Sequence, residues 1–106
     1  MITTELIPNY TNQKSFYKKA LVYADGKGNY ALQSYQTIVT VIIKGKMFRT
    51  WQGYSKTTQI HINEFTNQIL NKNCFKNDYL NLPYRKLDYI STYINDLEKQ
   101  LKRDNK

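Results

Sequence analysis

His61 and Cys74 are the single histidine and the single cysteine of a 106-residue chain, thirteen positions apart. A zinc site needs about four Cys, His or carboxylate ligands, so this pair cannot build a Cys/His metal site. A Cys–His nucleophilic couple is open on arithmetic alone, but the residues around Cys74 offer neither an oxyanion hole nor an orienting acid. Cys74 reads as a small buried apolar residue. His61 reads first as a hydrogen-bonded packing residue and second as a partner contact. The glycines, at 26, 28, 45 and 53, all fit turns, and none forms a phosphate-cradling loop. Eight carboxylates are present. Asp88 and Asp96 fall eight apart as surface charges, and no pair forms an acid–base couple. The expectation is a binding protein rather than an enzyme, with no catalytic residue, metal or cofactor.

The distinctive chemistry is aromatic and basic. Ten Tyr and one Trp accompany sixteen Lys or Arg and a formal charge of +8. Tyrosine rings stack on unpaired bases, and interleaved cations hold a phosphate backbone. A basic excess favours acidic partners. Residues 1–53 carry seven Lys or Arg against two acids, so the first half is the more electropositive. The candidate contacts are Lys18, Lys19, Tyr23, Tyr35, Lys44, Lys46, Arg49, Trp51, Tyr54 and Lys56, with His61 beside them. Against this stands the plain alternative, that tyrosines fill a thin core with their hydroxyls reaching water.

These residues need a scaffold, and the pattern predicts an α+β fold in one domain over 1–106. Residues 1–15 read as an extended polar arm. Residues 18–51 read as an antiparallel meander of three to four strands. Asp25-Gly26 is a hairpin signal between β-prone runs. Thr37 to Ile43 is entirely β-branched and suits the central strand, with Val39, Val41 and Ile43 on one face and Ile38 and Ile42 on the other. Gly53 breaks the last strand. A helix follows over 55–71, capped by Ser55 or Thr57. Its Thr58, Ile62, Phe65 and Ile69 face the sheet, and Ile60, Glu64 and Asn67 lie on a polar side. Cys74–Leu82 reads as a linker anchored by Phe75 and Tyr79. A long helix over 83–103 begins at Pro83 and carries a seam of Leu87, Ile90, Ile94, Leu97 and Leu101. That seam packs internally in a monomer or joins two copies in a dimer. No apolar run reaches the roughly 20 residues that span a bilayer, and no secretory leader is evident, so a reducing cytoplasm and no membrane partner are expected.

Four segments carry a resemblance. They are Lys14–Ala20, Leu32–Val39 (with Ser34-Tyr35-Gln36-Thr37-Ile38-Val39), Phe48–Ser55, and Thr57-Thr58 with His61 and Phe65. Together they resemble a family of small phage and mobile-element proteins over roughly residues 14–69. The resemblance implies a protein that disables host machinery by binding it, with an anti-CRISPR protein as the leading class. A basic chain does not suit DNA mimicry. It suits a host CRISPR effector nuclease of the RNA-targeting type VI class, its guide RNA, or an acidic face. The alternative is an accessory protein of phage replication or gene control that binds nucleic acid directly, within the bacterial host cytoplasm.

Overall fold

The computed structural model describes residues 2–85. The element order is β1 (Ile2–Glu5), β2 (Ala20–Ala24), β3 (Tyr30–Ser34), β4 (Thr37–Ile43), β5 (Lys46–Arg49), α1 (Lys56–Leu70) and α2 (Lys76–Leu80). The class is α+β. The strands form one antiparallel sheet in sequence order, five strands rather than three to four. The additional strand is β1, within the stretch read as an arm. Its side chains are almost all exposed, so no hydrophobic alternation announces it, and backbone pairing with β2 alone defines it. From Leu6, which is buried, the chain crosses onto α1. Gln68 Nε2 donates to Ile7 O at 2.7 Å, and Tyr10 N donates to Glu64 Oε1 at 2.8 Å. Glu64, expected on the polar side, is therefore covered.

The central strand holds a correction of register. Leu32 pairs with Thr40 but Gln33 pairs with Ile38, leaving Val39 as an extra residue on β4. A bulge of one residue exchanges the faces on either side of it. Val39 and Ile42 thus share the core with Ala20, Val22, Leu32, Ile62 and Phe65, while Ile38 and Val41 join Ala31, Tyr23, Ile43 and Phe48. The run is β-branched throughout with apolar residues on both faces, so its alternation does not place the bulge.

Helix α1 starts as its hydroxyl cap dictates: Ser55 Oγ accepts from Thr58 N at 3.1 Å. It ends at Asn71 in the left-handed region, whose N–H returns to Asn67 O. Thr58, Ile62 and Phe65 are buried as expected, and Ile69 packs at the margin of the core. The expected linker contains α2, five residues long, with Asp78 Oδ2 accepting from Phe75 N. Tyr79 is its buried anchor, whereas Phe75 is exposed. Pro83 does not open a helix at once. Pro83 O accepts from Arg49 N, Arg49 O accepts from Arg85 N, and Tyr84 makes a parallel bridge to Arg49 along the outer side of β5. The rest of the expected 83–103 helix, with its seam from Leu87 to Leu101, lies outside the described residues. Among the described residues no helix is long and apolar enough to cross a membrane.

Candidate functional site

Three segments meet at the end of the sheet where β3 turns into β4. They are the loop 16–19, the Tyr35-Gln36 turn, and the first turns of α1. Ser34 Oγ joins them, lying 3.0 Å from Thr58 Oγ1 and 2.9 Å from His61 Nδ1. Tyr35 N donates to Lys19 O at 2.7 Å. The rings form a layer. Phe16 meets His61 edge-on at 4.6 Å, Tyr35 lies 5.9 Å from His61, and Lys19 Nζ sits 5.7 Å above the Tyr35 ring. Outside this layer, Tyr17 is 77 % exposed and Tyr35 is 46 % exposed. Tyr17, Lys18 and Tyr35 all have φ between +52° and +62°. Each such residue costs of order 1–3 kcal/mol and persists because its surroundings hold it there, and such strain gathers at functional sites. Lys44, in the β4–β5 turn at the other end, shares this conformation at φ +52°, so what distinguishes this end is the consecutive pair Tyr17 and Lys18 beside Tyr35.

His61 lies beneath that surface, 2 % exposed, and does not share it. Burial, reinforced by the charge of Lys19, lowers its pKa from the usual 6.5. The folded state therefore favours the neutral ring. Below about pH 6.5 the unfolded chain binds the proton that the folded chain refuses, so stability is full above that pH and falls as the pH drops toward the folded pKa. The expected slope approaches about 1.4 kcal/mol per pH unit. Urea titrations from pH 7.5 to 5.5 measure it. The chain has one histidine, so a His61→Gln variant should flatten the slope.

The strand-to-helix joint is mostly occupied with itself. Arg49 Nε donates to Trp51 O at 2.8 Å, its Nη2 donates to both Gln52 O and Gly53 O, and its guanidinium lies 5.1 Å from the Tyr79 ring. Trp51 and Tyr54 are half-buried against the core, with Lys76 Nζ 5.1 Å above Tyr54. Gly53 was expected for its backbone freedom, but the requirement is space. A Cβ there would meet the Trp51 indole at 2.4 Å. Gly53→Ala should displace the ring and cost about 1–3 kcal/mol. Fluorescence of the sole tryptophan in native buffer reports the displacement, and a melt reports the cost.

Lys44 and Lys46 flank the β4–β5 hairpin at the opposite end. Lys44 N donates to Asn29 Oδ1, and Asn29 in turn bonds the buried Asp25. The seven residues of β4 separate this hairpin from the Tyr35 turn, about 20 Å at roughly 3.3 Å per residue. Of the eleven candidates, the fold gathers Lys18, Lys19, Tyr35 and Lys56 at one end, with His61 buried beneath, and it adds the exposed Tyr17. The adjacency of Tyr17 to Lys18-Lys19 was the available signal.

One acid stands within this cluster, Glu5, whose Oε1 accepts from Lys18 N at 3.1 Å, and the other three lie elsewhere. Residues 2–85 carry eleven Lys or Arg and four Asp or Glu. Each of the four accepts from a backbone N–H: Glu5 from Lys18, Asp25 from Lys27 and Asn29, Glu64 from Tyr10, and Asp78 from Phe75. Asp25 and Glu64 are fully buried as well. Among the described residues exposed lysines outnumber exposed acids, which favours a polyanionic partner. Among the described residues no group of three or more His, Cys, Asp or Glu could hold a metal. Cys74 is buried and its thiol is pushed up to about 11, by burial first and by Asp78 second, so it is protonated at neutral pH. His61 Nδ1 is engaged by Ser34.

No curated protein and no solved structure matches the chain significantly. A family model matches residues 4–81, from β1 through α2 and including the Tyr17–Lys19, Tyr35 and His61 cluster, and its description is a family of unknown function. The chain belongs to that family, DUF8033.

Proposed function

We propose that the protein is a non-enzymatic binding module for single-stranded nucleic acid, and that the Tyr35-turn end is its contact surface. The carrying observation is the pair of exposed rings, Tyr17 and Tyr35, set among Lys18 and Lys19 on a backbone held at positive φ. Ring faces accept any base at about 1–3 kcal/mol per stacked base, and lysines follow the phosphates. The first turn of α1 adds Lys56 at the same end.

The biological setting we propose is the one the sequence resemblance implies. It is a mobile-element protein that inhibits a host defence nucleoprotein, with the RNA of an RNA-guided nuclease as the bound strand. In the alternative setting the same surface serves phage replication or gene control by binding nucleic acid directly. Fluorescence anisotropy with a labelled 20-nucleotide oligouridine and with a duplex of equal length tests the shared claim. The single strand should bind more tightly, and Tyr17→Ala with Tyr35→Ala should reduce that preference. Equal binding of duplex and single strand removes stacking from the account. A pulldown with a guide-loaded nuclease separates the two settings. Capture of the loaded complex well beyond that of the free guide RNA favours the inhibitor.

A further inference from the structure

Tyr35 stands first in the two-residue turn between Ser34 and Thr37, which pair as the last residue of β3 and the first of β4. Its φ is +58°, and Gln36 after it does not share the positive sign. That is the pattern of a type II′ turn, whose first position ordinarily holds glycine. Two other residues of positive φ sit where that conformation is common. Asn71 ends α1, and Lys44 shares its turn with Gly45. Tyr35 brings a Cβ and a ring into a slot that suits neither, so its surroundings must hold it there.

Both backbone polar groups of Tyr35 are held. Its N–H donates to Lys19 O at 2.7 Å, and the loop that carries Lys19 is itself closed by Lys19 N donating to Phe16 O at 2.9 Å. On the other side Gln33 Nε2 donates to Tyr35 O at 2.9 Å, and Gln33 Oε1 accepts from the Tyr23 hydroxyl at 2.8 Å. Tyr35 O can only accept, so the Gln33 amide must turn Nε2 toward it, and Tyr23 supplies the donor that Oε1 then faces. Tyr23 and Gln33 are diagonal neighbours on β2 and β3, because Leu21 pairs with Gln33 and Tyr23 with Ala31. Tyr23 packs half-buried against Ala31, Ile38 and Val41, which fixes the far end of the relay. What this clamp presents is the Tyr35 ring, 46 % exposed with Lys19 Nζ 5.7 Å above it.

We propose that Gln33, set by Tyr23, is a positioning residue that presents the Tyr35 ring to a base of a bound single strand. It rests on the reading of the Tyr35-turn end as a nucleic-acid surface, and it gives Tyr23 a role behind that surface. The tyrosine stands in a glycine slot because glycine would relax the turn but supply no ring. A ring that leaves its stacking position weakens apparent affinity in proportion to the competent fraction that remains.

A double-mutant cycle on oligouridine affinity in the full chain tests it, with the turn and the fold measured alongside. Gln33→Leu and Tyr23→Phe should each weaken oligouridine roughly three- to tenfold, the effect of lowering the competent fraction to between about a third and a tenth. In a Tyr35→Ala background neither should change affinity by more than about twofold, since a residue that acts through the ring then has nothing to position. Gln33→Leu should also speed hydrogen exchange at the Tyr35 amide and leave the amides of α1 unchanged, a local loosening in a folded protein. Tyr35→Gly and Tyr35→Ala should lose equal affinity. The glycine variant should unfold at the higher urea concentration, because only alanine keeps a Cβ at positive φ. The same loss from Gln33→Leu with and without the Tyr35 ring would make Gln33 a direct contact or a general support. That result overturns the assignment, as does no loss when the ring is present, or an alanine variant as stable as the glycine one. If Tyr35→Ala itself leaves oligouridine affinity unchanged, the surface reading fails first and the assignment falls with it.

Discussion

Tyr79→Ala is expected to remove about 3–5 kcal/mol of stability, the scale of a large aromatic truncated in a core. Tyr79 is fully buried beneath the β4 bulge. Its hydroxyl donates to Val39 O at 2.8 Å and to Trp51 O at 3.2 Å, and its ring faces the Arg49 guanidinium. One side chain therefore ties α2, the bulge and the strand-to-helix joint together. The phenol is held in its donating form, its pKa pushed up to about 12 chiefly by burial. Tyr79→Phe separates ring from hydroxyl. Both acceptors retain another donor, Thr50 N on Val39 O and Arg49 Nε on Trp51 O. The phenylalanine variant should accordingly lose only about 1 kcal/mol, since no buried acceptor is orphaned. Urea unfolding followed by Trp51 fluorescence gives both values. A loss under about 1.5 kcal/mol for the alanine variant would mean that α2 is an appendage and not part of the cooperative unit.

Reversing charge at Lys18 and Lys19 together is expected to weaken oligouridine binding on the order of 10–100-fold at about 0.1 M salt, because two phosphate contacts and their counterion release are lost. The matched variant at the other end, Lys44→Glu with Lys46→Glu, should lose much less. Both pairs change the net charge equally, so a difference between them reports location and not the overall field. Lys18 and Lys19 are exposed, and Lys18 enters the structure through its backbone N–H to Glu5, so the substitutions leave the hydrogen-bonded frame in place. Equal loss in both variants would assign binding to diffuse charge and remove the proposed surface.

The contrast between these two lysine pairs shows what the sequence could convey. Residue types were legible: a basic, tyrosine-rich chain announces its chemistry by composition. So were β2, β3, β4 and α1, because an Asp-Gly turn, a β-branched run and a Ser55 cap are local signals with local causes. Placement was not legible. Lys44 and Lys19 look alike in sequence, and only the antiparallel meander sets them at opposite ends. Strand β1 lacks an apolar face, and the bulge at Val39 lies in a β-branched run with apolar residues on both faces. Glu64 read as solvated because the helix pattern cannot know that residues 7–10 lie across it. The positive φ of Tyr17, Lys18 and Tyr35 occurs without the glycine that normally signals it. Arg49 and Trp51 carry a second role that their types do not announce. Their types suggest a contact surface, and their hydrogen bonds and packing also hold the joint.

The most direct test of the central claim is the salt dependence of oligouridine affinity for the wild-type protein and for the Lys18→Glu, Lys19→Glu variant. For single strands each phosphate contact contributes about 0.7 to the slope of log K against log salt. The account predicts a steep slope for the wild type and a slope shallower by about 1.4 for the variant, with Lys44→Glu, Lys46→Glu close to wild type. Equal slopes for wild type and the Lys18, Lys19 variant would contradict it.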